Sequence, residues 1–186
     1  MSVVAVKKTG NIISVSADSI VISFQTNINN QGDGNKKSYM KLISVNEMII
    51  GTVGYCDDGS LMSIFAETHK PKDPTVESVT KFIVEFRKYK QELGGCITDC
   101  SEFIIVYKGH IFSIESLCVI EINKFTAIGA GQEYAMAALY LGHSTKEAVK
   151  VTCDLCCYVE EPIITYNMTV NEEGVIINGP TYSDEK

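Results

Sequence analysis

Seven cysteines are the side chains with the most distinctive chemistry in this sequence, at positions 56, 96, 100, 118, 153, 156 and 157. Two closely spaced pairs, Cys96-x3-Cys100 and Cys153-x2-Cys156, could together supply four thiolate ligands for a structural zinc ion. No histidine accompanies either pair, and the second pair lies in a segment with a helical pattern. We therefore predict that the protein holds no metal, and that its cysteines are reduced and behave as small buried side chains.

The charge of the chain argues against partners that require a basic surface. The formal net charge at pH 7 is -7, and the sequence pI is about 5.0. Nucleic acids and anionic membranes normally bind a basic patch. The short cluster Lys36-Lys37, with Lys41 nearby, is interpreted as a solvated loop. We expect no nucleic-acid partner.

Hydropathy gives no sign of a membrane segment or of export. No stretch approaches the roughly 18 apolar residues of a membrane-spanning helix. At the start of the chain the apolar run Val3–Val6 precedes Lys7-Lys8, which is the reverse of the order in a signal peptide. We therefore expect a soluble, cytoplasmic protein without a membrane partner.

The length and composition suit one domain that spans residues 1–186, since 45% of the residues are hydrophobic and no repeat or linker divides the chain. Alternating apolar residues predict strands at 3–6, 12–15, 20–22, 39–45 and 48–53, with a polar loop at 27–37. Helical spacing follows at 59–69 and 74–93. The second of these helices has Asp73 as its predicted N-cap and ends at Gly94-Gly95.

The second half of the chain repeats this order. Strands are predicted at 103–107, 110–114, 118–120, 125–129 and 163–168. Two helices precede the last strand; one ends at Gly142, and the other begins at the Ser144-x-x-Glu147 capping box and runs to about Tyr158. The order predicts an α+β fold: a four-layer αββα sandwich of two antiparallel sheets, each flanked by a helix pair.

Three segments give the chain a resemblance to a known family. The first leads through a strand, a glycine turn and a second strand to Ala17-Asp18-Ser19; the others run from Lys41 to Gly54 and from Ala127 to Ala138, the last containing Ile128-Gly129-Ala130-Gly131. Their order and spacing resemble the proteasome β-subunits and the bacterial HslV peptidase, which are N-terminal-nucleophile (Ntn) hydrolases. The resemblance covers almost the whole chain and implies the Ntn hydrolase fold.

The resemblance also implies a peptidase mechanism. A hydroxyl on the first residue attacks a peptide carbonyl, and the free α-amine of that residue, or a water, relays the proton. A buried lysine beside an aspartate lowers the pKa of the hydroxyl. Backbone N–H groups at a glycine bind the oxyanion. No cofactor takes part in this chemistry.

Matched to the family position by position, Asp18 corresponds to its aspartate and Lys41 to its lysine. Gly54 is the better match to the oxyanion glycine, and Gly51 is the alternative. The nucleophile would be Ser2, exposed by removal of Met1, because Asp18 follows it by sixteen positions, as the aspartate follows the nucleophile in the family. Counting back from the Gly10 turn instead places Met1 at that position, and the sequence leaves both registers open.

Two positions depart from the family pattern. Ala130 stands where the family has a serine that hydrogen-bonds the catalytic group. Cys156 or Cys157 stands where a second aspartate is expected. Loss of one preorganised polar partner can lower a rate by about 10²–10³, so a weakened or inactive site is one expectation.

Three functions follow from the resemblance. The first is an HslV-like peptidase that self-assembles into a homo-oligomeric ring through helices 59–69 and 74–93, and receives peptides or unfolded proteins from an ATP-dependent unfoldase. The second is a catalytically inactive structural subunit of the same fold. The third is a hydrolase of small-molecule amides.

Overall fold

The computed structural model describes residues 2–21, 37–38, 40–95, 100–172 and 174–183. A first five-stranded sheet has the order β10-β1-β2-β11-β12, and all its neighbouring strands are antiparallel. Its strands are β1 (Val4–Thr9), β2 (Ile12–Ala17), β10 (Phe125–Ile128), β11 (Ile164–Asn171) and β12 (Gly174–Tyr182). This sheet therefore joins the first two strands of the chain to its last three.

A second antiparallel sheet has five strands in simple chain order. They are β5 (Leu42–Val45), β6 (Met48–Val53), β7 (Glu102–Tyr107), β8 (His110–Glu115) and β9 (Cys118–Ile122). Two short strands, β3 (Ile20–Val21) and β4 (Lys37–Ser38), pair separately from both sheets.

Within the described ranges, four helices cover the outer faces of the sheets: α1 (Cys56–Thr68), α2 (Val76–Glu92), α3 (Gln132–Tyr140) and α4 (Thr145–Leu155). One apolar cluster lies between the two sheets, where Val4 packs with Leu42 and Ile104. A second lies between the second sheet and α1/α2, and a third between the first sheet and α3/α4. The predicted αββα sandwich of two antiparallel sheets is confirmed.

Several predicted element ends need correction. The N-cap of α2 is Thr75, whose side chain accepts the Ser78 N–H, because the Asp73 carboxylate is engaged by the Thr75 hydroxyl. Helix α4 begins at the predicted Ser144 capping box but ends at Leu155, since Cys156 is already extended. Strand β12 was not predicted; it is an edge strand, where Pro180 is tolerated.

Some sequence predictions concern residues outside the described ranges. These are Met1, Ile22, most of the loop at 27–37, Tyr39 and Cys96. None of the helices in the described ranges is both long enough and apolar enough to cross a membrane.

Candidate active site

A buried ion pair joins the two sheets near the beginning of the chain. The Lys41 ammonium lies 2.5 Å from Asp18 Oδ2, and the two side chains are 4% and 0% exposed. Asp18 directly follows β2, whereas Lys41 directly precedes β5. The expectation that they lie side by side is confirmed, but not the expectation of neighbouring strands. They come from opposite sheets: Asp18 lies one residue beyond the end of β2, and Lys41 one residue before the start of β5.

Burial determines the protonation chemistry of this pair. Loss of hydration lowers the pKa of Lys41 below its ordinary value of 10.5, and the opposing charge and hydrogen bond of Asp18 only partly offset that effect. A lysine with a lowered pKa, fixed by one carboxylate, can stabilise a developing negative charge or exchange a proton. This is the electrostatic arrangement that activation of a hydroxyl requires.

Asp18 also fixes the chain next to Ser2. Its Oδ1 accepts the Val3 N–H at 2.8 Å, and its own N–H donates to the Val3 carbonyl at 3.4 Å. The β1/β2 pairing is regular up to Val4 opposite Ala17, so Val3 stands opposite Asp18. Ser2 is therefore the residue just beyond the contact with Asp18. It is 5% exposed. The alternative register, in which Met1 occupies the nucleophile position, concerns a residue outside the described ranges.

Side-chain alternation along β1 favours the sheet interface for Ser2. Val4 and Val6 pack between the two sheets, whereas Val3 and Ala5 pack toward α3 and α4. Continuing that alternation assigns Ser2 to the side of Val4, between the two sheets.

The two candidate oxyanion glycines differ clearly in environment. Gly51 lies within β6, and a Cβ there would come 2.6 Å from Val4 Cγ1. Close packing between the sheets therefore explains why this position is a glycine. Gly54 lies beyond the end of β6, is exposed, and has a φ of +114°. A Cβ on Gly54 would come 2.6 Å from Ser101 Oγ. Of the two, only Gly54 presents its backbone at the edge of the fold.

A second glycine segment encloses Ser2 from the first sheet. Gly129 has a φ of +93°, and a Cβ there would lie 2.4 Å from the Ser2 carbonyl oxygen. The Gly131 N–H donates to that oxygen at 3.3 Å. Ala130, which replaces the serine expected from the resemblance, is exposed between the two glycines. The segment therefore positions Ser2 through its backbone.

Two residues that the sequence patterns did not single out, Ser101 and Glu102, lie next to the two glycine segments. Ser101 Oγ accepts the Tyr55 N–H at 3.1 Å. Burial, and secondarily the charge of Glu115, raise the pKa of Glu102 above its ordinary value, although the nearby Gly129 N–H opposes the shift. The sequence feature that could have drawn attention to Glu102 is an acidic residue directly before the apolar run 103–107.

The cysteines differ from the prediction of buried side chains. Cys56, Cys100, Cys118 and Cys157 are exposed, Cys153 is half-buried and Cys156 is buried. The exposure follows from their positions, since most of them lie at the ends of elements. No group of three or more potential metal ligands occurs among the described residues, which do not include Cys96.

Cys153 lies within electrostatic range of the Asp18 carboxylate. Burial raises the pKa of its thiol to about 12, and the Asp18 carboxylate adds to the shift. Neither Cys156, which directly follows α4, nor the exposed Cys157 supplies a carboxylate in place of the expected second aspartate.

Comparison with known proteins identifies the fold. No family model and no curated protein matches the sequence. Among solved structures, Thiobacillus denitrificans BPH in complex with epoxomicin matches with a TM-score of 0.78 at 17% identity, over 91% of this chain and 99% of that one. A second structure of Thiobacillus denitrificans BPH matches with a TM-score of 0.76 at 18% identity, over 91% and 99% of the two chains.

The structure of eukaryotic HslV from Trypanosoma brucei matches with a TM-score of 0.65 at 17% identity, over 89% of this chain and 98% of that one. The chain therefore has the αββα fold of HslV-like Ntn hydrolases, as the resemblance predicted. At these identities the similarity concerns the fold alone, and activity has to be argued from the site.

Proposed function

We propose that this protein is an HslV-like Ntn peptidase subunit that cleaves peptide bonds inside a ring of its own copies. The observation that carries the proposal is the buried Lys41–Asp18 pair beside the backbone of Ser2. Taking two charges out of water is costly, and apolar residues often stabilise a core better than a buried ion pair does. A catalytic role accounts for the retention of such a pair at this position.

In the proposed reaction, removal of Met1 gives Ser2 a free α-amine. The Ser2 hydroxyl attacks the peptide carbonyl, and its proton passes to the α-amine or a water. Lys41 favours the developing alkoxide, and Asp18 holds Lys41 in place. The Gly54 N–H stabilises the oxyanion. The proton then moves to the departing amine, and water hydrolyses the resulting ester.

A catalytically inactive subunit of the same fold is the second candidate function. Two observations favour it: the exposed methyl of Ala130 in place of a hydroxyl, and the absence of a carboxylate at Cys156 and Cys157. We have no observation that favours the small-molecule amidase over these two.

Ring assembly, a peptide or unfolded-protein substrate, an ATP-dependent unfoldase and a cytoplasmic location are parts of the proposal. Exposed apolar side chains on the outer helix layer support self-association: Ile64 on α1, Val76 on α2 and Leu93 just beyond it. The proposal includes no cofactor, metal, nucleic acid or membrane. Sedimentation that shows only monomer at micromolar concentration would contradict the ring.

Peptide hydrolysis by matched variants tests the proposed function. Wild type and Ser44→Ala, which removes an exposed hydroxyl on β5, should cleave a fluorogenic peptide at equal rates. Ser2→Ala should abolish cleavage without loss of folding. Equal activity of Ser2→Ala and wild type would rule out Ser2 as the nucleophile, whereas a silent wild type with Met1 retained would favour the structural subunit.

A further inference from the structure

One buried hydroxyl beside the candidate site has no hydrogen-bond partner. In the part of the chain that the structure describes, this is true of Ser19 Oγ, which belongs to a residue that is 1% exposed. The backbone of Ser19 is held, because its N–H donates to the Glu160 carbonyl at 3.4 Å. Tyr107 Oη also lacks a partner, but it lies in the apolar layer between the second sheet and α1/α2. Burying a hydroxyl without a partner costs free energy, so the presence of Ser19 calls for an explanation.

The strand register sets Ser19 opposite Ser2. The antiparallel pairing of β1 with β2 is regular, and just beyond it the Asp18 N–H still donates to the Val3 carbonyl at 3.4 Å. Extended by one residue, the same register brings Ser19 across from Ser2. Because Val3 and Asp18 occupy a hydrogen-bonded position of the ladder, Ser2 and Ser19 occupy the next, non-hydrogen-bonded position. Side chains of neighbouring strands come closest together at such positions.

Side-chain alternation assigns both serines to the same face of the first sheet. Ala17 packs between the two sheets, whereas Ser16 faces α4, where its hydroxyl donates to Thr145 Oγ1 at 2.8 Å. Ser19 therefore belongs to the face of Ala17, and the alternation along β1 assigns Ser2 to that face as well. Opposed Cβ atoms on one face are about 4.5–5.5 Å apart. Staggered rotamers of two serines at that separation can bring their hydroxyls within hydrogen-bond distance.

The strand on the other side of β1 offers Ser2 no hydroxyl. Strand β10 pairs with β1 up to Val4 opposite Ile128. Two steps further in the same register, the residue opposite Ser2 is Ala130, whose methyl group cannot form a hydrogen bond. Ser2 is therefore flanked by a methyl group from the β10 side and by the hydroxyl of Ser19 from the β2 side.

We propose that Ser19 is a further catalytic residue, whose hydroxyl hydrogen-bonds the Ser2 hydroxyl and holds it in the rotamer from which it attacks. This role accounts for a buried hydroxyl at a position that alanine would fill at lower cost. It also supplies, from β2, the kind of group that Ala130 lacks. The kinetic part of the inference rests on the proposed function, in which Ser2 is the nucleophile. The pairing of the two serines is testable without any activity.

Disulfide trapping tests the pairing. In a protein with Ser2→Cys and Ser19→Cys, oxidised glutathione should join the two thiols, which lose one hydrogen each while two molecules of reduced glutathione are released. The matched control combines Ser2→Cys with Ser14→Cys. Ser14 lies on the opposite face of β2, where its hydroxyl donates to Asn167 Oδ1 at 2.6 Å, so this protein should form no such link. Peptide mapping by mass spectrometry distinguishes the new link from bonds to native cysteines.

The rate at which a peptide vinyl sulfone labels Ser2 tests the catalytic role. Ser19→Ala should slow labelling on the order of tenfold, which corresponds to one neutral hydrogen bond in the activation barrier. Ser19→Thr keeps the hydroxyl and should recover most of that rate, and Ser14→Ala, the control on the other face of β2, should match wild type. The urea midpoint of Ser19→Ala should equal or exceed that of wild type, because the hydroxyl that is removed has no partner.

A folded double variant without a disulfide between positions 2 and 19 would overturn the pairing. Labelling of Ser19→Ala at the wild-type rate would overturn the catalytic role, as would slower labelling that only follows a loss of folded protein. Failure of the proposed function is distinguishable from both. In that case Ser2→Ala is labelled as fully as wild type, or wild type is not labelled at all, while the disulfide between positions 2 and 19 still forms.

Discussion

Among the described residues, two buried lysine–aspartate pairs share their chemistry but differ in position. Lys90 and Asp58 lie 2.6 Å apart with side chains 12% and 6% exposed, and they join α2 to α1. They line a groove of about 590 Å³ between the start of α1 and the end of α2. Lys41 and Asp18 are closer and more deeply buried, and they join the two sheets where β1 begins.

The difference is the reason that we propose a function beyond packing for the sheet pair and not for the helix pair. The helix pair links two adjacent helices of the outer layer. In the sheet pair, the second oxygen of Asp18 accepts the Val3 N–H, so the same carboxylate that holds Lys41 also fixes the chain at Ser2. Replacing each pair separately distinguishes a structural contact from a site.

The largest effect is expected from breaking the sheet pair. Lys41→Met should abolish peptide cleavage and lower the free energy of unfolding by about 3–5 kcal/mol, because Asp18 would be left buried without its cation. Urea denaturation and the fluorogenic assay measure the two effects. Lys81→Met, at an exposed helix position, is the control and should change neither.

Breaking the helix pair should destabilise the protein less and leave catalysis intact. Lys90→Met should lower the free energy of unfolding by about 1–3 kcal/mol, the cost of leaving one partly buried carboxylate unpaired. Cleavage should stay within about twofold of wild type. A Lys90→Met protein that is stable but inactive would contradict the distinction between the two pairs.

Replacing both members of the sheet pair separates stability from function. Asp18→Leu with Lys41→Met puts two apolar side chains where the charges met, and such replacements are often neutral or stabilising. We expect the double variant to recover only part of the stability lost in Lys41→Met, because the buried Val3 N–H loses its acceptor, and to remain inactive. Recovered activity would show that the pair is not part of the mechanism.

The smallest effect concerns Cys153, which lies within electrostatic range of Asp18. Because the pKa of its thiol is raised to about 12, Cys153 should resist alkylation by iodoacetamide at pH 8, while the exposed Cys118 reacts. Asp18→Asn removes one negative charge and should make Cys153 measurably more reactive. Peptide mapping by mass spectrometry follows both residues, and equal rates for the two thiols in wild type would contradict the prediction.

Local patterns in the sequence were sufficient for most of the fold. Strand β6 was predicted with its observed bounds because an apolar run follows the turn at Asn46-Glu47, and the capping box at Ser144 marked the start of α4. Strand β12 was missed because Gly179-Pro180 interrupts its pattern, and most of its residues are exposed.

The site was predictable only in part because its contacts are long-range. Asp18 and Lys41 were chosen through a family resemblance, and no local pattern indicates that they meet from opposite sheets. Glu102 lies near the Gly129 N–H, 27 positions further along the chain, because β7 and β10 contact each other. Catalytic roles for Ser2, Asp18, Lys41 and Gly54 remain predictions.

The intact mass of the purified protein after treatment with a peptide vinyl sulfone tests the central claim most directly. We expect the untreated chain to lack the mass of Met1, and the treated chain to gain one inhibitor at Ser2. Ser2→Ala should gain none, and Ser44→Ala should behave as wild type. Full labelling of Ser2→Ala, with the adduct at a thiol such as Cys56, would contradict the account, as would an unlabelled wild type that lacks Met1.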